Sequence, residues 1–176
     1  MQSTRNARRK LKGSSRRFGI SAFVPTRFCV VSGSAASELS YLNAFDEALQ
    51  RAGIANCNLV RVSSIIPPDA RQVSLPEIPP GTVLLAVYVT MQGSEGRIGT
   101  GIAWGWGTAK NGMRYGIVSE GKGRDPRLLT DGLLKKLRVM AKVRGLDLEE
   151  PRTRVECIDV PRGYYGCSFS ALLFLP

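Results

Sequence analysis

Asn58-Leu59-Val60-Arg61-Val62-Ser63-Ser64-Ile65-Ile66-Pro67-Pro68 is an extended run that stops at two prolines, with a pair of serines just before the stop. Valine and isoleucine favour strands, and proline lacks the amide a ladder needs, so the run reads as a strand ended by a braced turn. The plainer reading of Ser-Ser is that turn and nothing more. The other reading is chemical. A hydroxyl held against the preceding carbonyl carbon is a far better nucleophile than a free one, and Ser64 stands next to the carbonyl of Ser63. Attack would turn the amide into an ester. Elimination across Ser64 would leave dehydroalanine, and hydrolysis would leave a pyruvoyl group heading a new chain. Asn58 precedes Ser64 by an even number of residues, so strand alternation points both side chains to one face, where the amide could donate to the oxyanion of that attack. As a strand-start asparagine it could equally bond its own backbone.

Outward from this run, alternation and breakers outline the rest. Arg27 to Val31 reads as a strand, followed by a small-residue loop over Ser32-Gly33-Ser34-Ala35-Ala36-Ser37. A helix is expected from an Asn43 cap to a stop at Gly53, with Phe45, Ala48, Leu49 and Ala52 on its apolar face. Strands are expected near 56–62, 82–91, 98–104 and 114–120, with a hairpin turn at Lys110-Asn111-Gly112. Asp125-Pro126 opens a second helix whose Leu133, Leu137, Met140 and Ala141 face inward and which Gly145 closes. Strands near 153–159 and 166–175 finish the chain. Seven strands with hairpin-like spacing and two helices indicate a layered α+β sandwich rather than a doubly wound sheet. Gly99-Thr100-Gly101 and Gly105-Trp106-Gly107 are not phosphate loops, because no helix follows either; glycines inside strands mark bulges or close backbone approach. Trp104 and Trp106 read as packing residues.

Composition narrows the chemistry. The 176 residues carry a net charge of +11 and contain no histidine. Ser-His and Cys-His catalysis are therefore excluded, and carboxylates, lysine, tyrosine, hydroxyls or a built-in carbonyl must act instead. Cys29, Cys57, Cys157 and Cys167 are scattered without C-x-x-C spacing, which argues against a zinc site or a disulfide scaffold. No metal site is expected. Arg5, Arg8, Arg9, Lys10, Lys12, Arg16 and Arg17 crowd the first 17 residues, and subtracting those seven from +11 leaves +4 for the rest. Residues 1–20 are thus expected to be a basic disordered tail ahead of one domain at 21–176. The tail lacks interleaved aromatics, so a solvated arm is expected ahead of nucleic-acid binding. No apolar run approaches the roughly 20 residues that span a bilayer. Ser15-Arg16-Arg17-Phe18 is followed by too short an apolar stretch for an export signal, and a cytoplasmic location is expected.

The stretch from Val24-Pro25-Thr26-Arg27-Phe28 through Leu42-Asn43-Ala44-Phe45-Asp46-Glu47-Ala48-Leu49, Ala52-Gly53-Ile54 and Asn58 to Pro68 strongly resembles pyruvoyl-dependent arginine decarboxylases. The resemblance covers roughly residues 24 to 176, resting after Pro68 on the Glu120 segment and on Gly166-Cys167-Ser168-Phe169-Ser170-Ala171. It implies a four-layer α-β-β-α sandwich of mainly antiparallel sheets and self-cleavage between Ser63 and Ser64. It also implies a covalent pyruvoyl cofactor derived from Ser64, and decarboxylation of L-arginine to agmatine through a Schiff base. A homotrimer with sites between subunits is implied too. The competing readings are a related decarboxylase for another amino acid, a turnover-deficient homologue, and an uncleaved basic nucleic-acid-binding protein.

Two carboxylates gain roles from the resemblance. Glu120 ends the Tyr115-to-Ser119 run and precedes Gly121-Lys122-Gly123. From the residues alone it is a surface acid pairing with Lys122 or Arg124; the resemblance implies a proton donor, whose pKa an apolar pocket would raise. Gly121 stands where the family more usually has an aromatic. Asp46, with Leu42 four residues before and Leu49 three after, is an acid flanked by apolar side chains that suits a planar guanidinium. As a first-turn acid it would also please the helix dipole. By resemblance Leu42, Asp46, Leu49, Ala55 and Cys57 form the arginine pocket, with Ala55 and Cys57 where glycine and valine are often found.

Overall fold

The closing run Tyr165–Leu175 is the backbone of the fold, because its alternation gives it two different faces. Phe169, Ala171, Leu173 and Leu175 point to one side and pack with a helix; Leu172 and Phe174 point to the other and pack with a second sheet. The structure, a computed structural model, describes residues 23–176. The basic stretch expected at 1–20 lies outside the described residues.

Ten strands and two helices follow in the order β1 (Arg27–Ser37), α1 (Tyr41–Arg51), β2 (Asn58–Arg61), β3 (Ile65–Ile66), β4 (Arg71–Gln72), β5 (Val83–Gly93), β6 (Gly96–Ala109), β7 (Arg114–Gly123), α2 (Pro126–Arg144), β8 (Leu146–Leu148), β9 (Arg152–Val160) and β10 (Tyr165–Leu175). The first sheet has the order β2-β5-β10-β1-β4; the second has β3-β7-β6-β8, with β9 also paired to β6. Most pairings are antiparallel, and β2–β5 and β1–β4 are parallel. One apolar cluster lies between α1 and the first sheet, a second between the sheets, and a third between the second sheet and α2. The layers therefore run α-β-β-α, as expected.

The inter-sheet layer is apolar at one end and polar at the other. Phe28, Ile66, Ile102, Val118 and Leu172 are fully buried there. Beyond them Thr100 meets the hydroxyls of Ser168 (2.8 Å) and Ser170 (2.9 Å). Buried hydroxyls left unpaired would cost about 1–3 kcal/mol each, so their mutual bonding is what lets serine alternate with phenylalanine along β10.

Local differences from the sequence expectations have physical causes. The small-residue stretch at 32–37 is not a loop but the second half of β1, paired with β10 as far as Ser37↔Tyr165. Gly33 lacks a side chain because α1 lies directly on it: a Cβ there would stand 2.7 Å from the Ala52 amide nitrogen and closer still to the Ala48 carbonyl oxygen. Helix α1 is capped by Ser40, whose hydroxyl accepts from the Asn43 amide at 3.2 Å, rather than by Asn43. Asp46 is therefore in mid-helix and gains nothing from the first-turn dipole. The 109–112 turn closes with Gly112 N–H on Ala109 C=O, and only Gly112 in it takes positive φ, so Asn111 serves by accepting from Met113 instead. Helix α2 begins on an Asp125 cap and ends at a left-handed Gly145, as read.

Candidate active site

The serine pair occupies the point where the chain leaves one sheet for the other. β2 runs parallel to the start of β5, with Asn58↔Val83 and Arg61↔Ala86, and Val62 N–H still donates to Ala86 C=O at 3.0 Å. Two residues later β3 pairs with β7 in the second sheet, Ile65↔Ile117 and Ile66↔Gly116. Ser63 and Ser64 alone span the gap. Ser64 C=O accepts from Val118 N–H at 3.0 Å, which pins its carbonyl side to the second sheet. Ser63 C=O accepts from Ile65 N–H, also at 3.0 Å. A bond between residues two apart is a γ-turn centred on Ser64, of the inverse kind, since Asp69 is the one non-glycine with positive φ among the described residues. The carbonyl that the Ser64 hydroxyl would attack thus already carries a hydrogen-bond donor. Ser64 is half-buried and Ser63 exposed. Pro67 and Pro68 brace the exit: Ala70 N–H closes on Pro67 C=O at 3.3 Å around the left-handed Asp69.

Glu120 comes to this place along β7. Val118 packs between the sheets, and Ser119 points the other way, its hydroxyl donating to Leu133 C=O at 2.9 Å on α2. Alternation returns Glu120 to the inter-sheet side, two residues beyond Val118, which stands opposite Ser64. Diagonal neighbours on paired strands are roughly 7–8 Å apart, within reach of a glutamate side chain. The carboxyl of Glu120 is half-buried and has no hydrogen bond or ion pair among the described residues. The pairing with Lys122 or Arg124 does not form; Arg124 instead reaches Arg97 C=O at 3.5 Å, and Lys136 bonds the Glu120 backbone carbonyl at 3.2 Å.

Asn58 is turned toward β5. Its side-chain amide donates to Gly81 C=O at 3.1 Å and its backbone N–H to Thr82 C=O at 2.8 Å. One amide proton is so engaged and the second remains for another acceptor. On the other face of β2, Arg61 lies over the Tyr88 ring, 4.2 Å from its centre.

The residues expected to hold arginine sit elsewhere on the chain. α1 covers the face of the first sheet that points away from the second sheet. Leu42 is 75% exposed, Asp46 is exposed and accepts from Gln50 Nε2 at 3.0 Å, and Leu49 belongs to the core beneath the helix. Ala55 and Cys57 are half-buried and line a cleft of about 280 Å³ with Gln50, Gly53, Ile54, Asn56 and Ile78. Burial pushes the Cys57 thiol pKa up. A single chain thus brings Ser63, Ser64 and Glu120 together, and separately Asp46, Gln50, Ala55 and Cys57. The two groups lie on different layers. Sequence reasoning missed the two backbone donors, Ile65 N–H and Val118 N–H, because an amide carries no residue-type signal.

The sequence of the pyruvoyl-dependent arginine decarboxylase family matches residues 27–176. Among curated relatives, the pyruvoyl-dependent arginine decarboxylase of Methanopyrus kandleri is 37% identical over 152 residues, covering 86% of this chain and 97% of its own length. That of Methanocaldococcus jannaschii is 34% identical over 154 residues, 84% of this chain and 88% of its own. That of Methanothermobacter thermautotrophicus is 38% identical over 122 residues, 68% and 79% respectively. Because the match takes in every strand and both helices, the chain belongs to the pyruvoyl-dependent arginine decarboxylase family.

Proposed function

We propose that the chain is a carboxy-lyase that decarboxylates L-arginine to agmatine and carbon dioxide after making its own carbonyl group from Ser64. The observation that carries the reading is the turn at the sheet-to-sheet crossover, where Ile65 N–H donates to the Ser63 carbonyl, the group that the Ser64 hydroxyl would attack. Ser64 Oγ attacks the Ser63 carbonyl carbon and the backbone nitrogen leaves as an amine, giving an ester. Ile65 N–H stands on the oxygen that becomes negative. Asn58 begins β2, four or more extended residues away, so its remaining amide proton would meet a Ser63 carbonyl only from a second copy. Loss of the Ser64 α-proton then expels the Ser63 carboxylate, and water replaces the nitrogen with release of ammonia. The products are chains 1–63 and 64–176.

The site fits the group so formed. Val118 N–H and the β3–β7 pairing keep the new chain end in place after the cut, since neither involves residues before Ser64. When present, the pyruvoyl ketone supplies the electron sink for loss of carbon dioxide. The chain's own residues do the rest. Glu120, diagonal to Ser64 on β7, delivers a proton to the carbon that has lost its carboxylate. Asp46 pairs with the guanidinium through parallel hydrogen bonds, with Leu42 beside its apolar stem.

Within one chain Asp46 and Ser64 lie on different layers, which supports a site completed by a second copy. Leu39 and Leu42 are about three-quarters exposed next to α1's start, and Val60, Ile65 and Val83 are exposed at the edge that carries the serines. Two different apolar patches on one molecule suit a head-to-tail contact that closes into a ring, here a homotrimer. Among the described residues no helix is long and apolar enough to cross a membrane, and four free cysteines fit a reducing, cytoplasmic setting.

Denaturing mass spectrometry of the wild type and of Ser64→Ala tests the reading. The wild type should give two chains, the larger blocked at its N-terminus, and Ser64→Ala one inactive full-length chain. Carbon dioxide release should be fastest from arginine among arginine, ornithine, lysine and aspartate. An active, uncut wild type would overturn the proposal.

A further inference from the structure

On the side of the sandwich away from Ser64, the end of α1, the β1–β4 edge and the start of β9 enclose a cleft of about 550 Å³. Arg51, Arg152 and Arg154 line it together with Ser32, Gln72 and Ser74, and no carboxylate does. Guanidiniums are always charged, so gathering three of them in one cleft costs repulsion unless something negative joins them. Elsewhere this chain neutralises its arginines: Arg97 grips Asp159 and Arg114 grips Glu149, each through two nitrogens. The three in the cleft have no ion pair among the described residues.

Each is aimed instead by a neutral acceptor. Arg51 Nη1 donates to Ser34 C=O at 2.7 Å, Arg152 Nη1 to Gln72 Oε1 at 3.1 Å, and Arg154 Nε to Ser32 Oγ at 2.8 Å. That uses one donor of each fork and leaves the others for a ligand. Glu156 sits behind Ser32 and accepts from Ser32 Oγ and Ser34 Oγ. It offsets one positive charge of three. Asp69, Glu149 and Glu150 line the adjoining cleft together with Arg71, Arg114 and Arg152, and Glu149 is already held by Arg114. The last-turn carbonyls of α1 that face this end are occupied: Ala48, Leu49 and Gln50 accept from Ala52, Ile54 and Gly53. The cleft's own lining is thus three planar guanidinium forks with no carboxylate among them, beside Val31, Val73 and Leu75.

We propose that this cleft is a second binding site, independent of the chemistry at Ser64, for the dianionic phosphate group of a small molecule. Arginine forks match phosphate oxygens two at a time, the Ser32 and Ser74 hydroxyls add donors, and the apolar wall receives the rest of the molecule. The volume lies within the range of small-ligand sites.

Calorimetric titration of the full-length protein with inorganic phosphate and with phenyl phosphate, at fixed ionic strength in chloride, tests it. Saturable binding of one phosphate per chain is expected. Arg152→Gln/Arg154→Gln should weaken it by about tenfold or more, the loss of charge-assisted bonds. Arg154→Lys, which keeps the charge and loses the fork, should weaken it less. The charge-matched control Lys135→Gln/Lys142→Gln on α2 should leave it unchanged, and decarboxylase activity in all variants reports that they fold. Tighter binding of phenyl phosphate identifies a phosphate ester as the ligand, and equal binding identifies free phosphate. No saturable binding, or equal weakening by the cleft pair and the control pair, overturns the proposal.

Discussion

Gly33→Ala should loosen the helix that carries Asp46 while leaving self-cleavage untouched. The added methyl would stand 2.7 Å from Ala52 N and nearer still to Ala48 O, whereas ordinary contact begins at 3.4 Å. Both atoms belong to backbone and cannot rotate away. Helix α1 must then withdraw by about 0.7 Å or more, opening the layer where Ala44, Ala48 and Leu49 are buried. Overpacking of this kind costs about 2–3 kcal/mol. For a chain of this size that corresponds to a melting point lower by about 4–12 °C. The same substitution at Gly132 in α2, where a Cβ meets nothing within 4 Å, should instead stabilise by about 0.5–1 kcal/mol through helix propensity. Thermal unfolding of the two variants beside the wild type measures the contrast, and arginine kinetics measure its functional side: KM should rise in Gly33→Ala as Asp46 shifts. A Gly33→Ala protein that melts with the wild type and binds arginine as well would refute both the packing and the role of α1.

Ile65→Pro deletes the amide proton on the Ser63 carbonyl, and because Ile65 N–H faces Ser63 rather than β7, the ladder loses nothing. Self-cleavage followed on denaturing gels should slow by about 10²-fold, the worth of one oxyanion donor, and an unchanged rate would remove Ile65 N–H from the mechanism. Glu120→Gln should still yield two chains but lose about 10²-fold or more in kcat with little change in KM, as expected of a proton donor. Asp46→Ala should also cleave, with kcat/KM for arginine down about tenfold or more and its advantage over uncharged amino acids eroded. Burial pushes the Cys29 and Cys167 thiols up to about 11 from 9.0. The fold therefore holds their protons more tightly than the unfolded chain does. That contribution is complete below pH 9 and disappears as pH climbs through 11, so urea midpoints should fall across this window. At pH 8 both thiols should resist alkylation until the protein is unfolded.

Elements with a strong repeat were legible in the sequence. α2 announced itself by Asp125-Pro126, the Leu133–Leu137–Ala141 face and Gly145, and β10 by Ser-Phe-Ser alternation. The second half of β1 was not, because Ser-Gly-Ser-Ala-Ala-Ser has the composition of a loop and becomes strand only where a helix needs to lie close. β3, β4 and β8 are two or three residues long and exist through their partners, so no periodicity could reveal them. Ser63, Ser64 and Asn58 could be singled out on one short run. Spacing put Leu49 on the apolar face of α1, where it is core, but that Leu42, three residues before Phe45, would be exposed could not be read from it, since that depends on how far α1 overhangs the sheet. The arginine cleft was invisible for a different reason: its residues come from β1, α1, β4 and β9, and nothing local links them.

Everything before Ser64 in the described fold, β1, α1 and β2, sits in or on the first sheet, yet β1 lies between β10 and β4 while β2 lies on β5. A chain severed at the crossover would be two polypeptides interleaved strand by strand, with β1 matched to β10 at eleven positions. Such a pair does not drift apart while folded. Once melted, however, the halves must find each other by diffusion, so recovery would depend on protein concentration, and no template would remain to rejoin them. Maturation by such a cut would thereby be a one-way event, and dilute heated enzyme should be far harder to recover than its uncut Ser64→Ala counterpart.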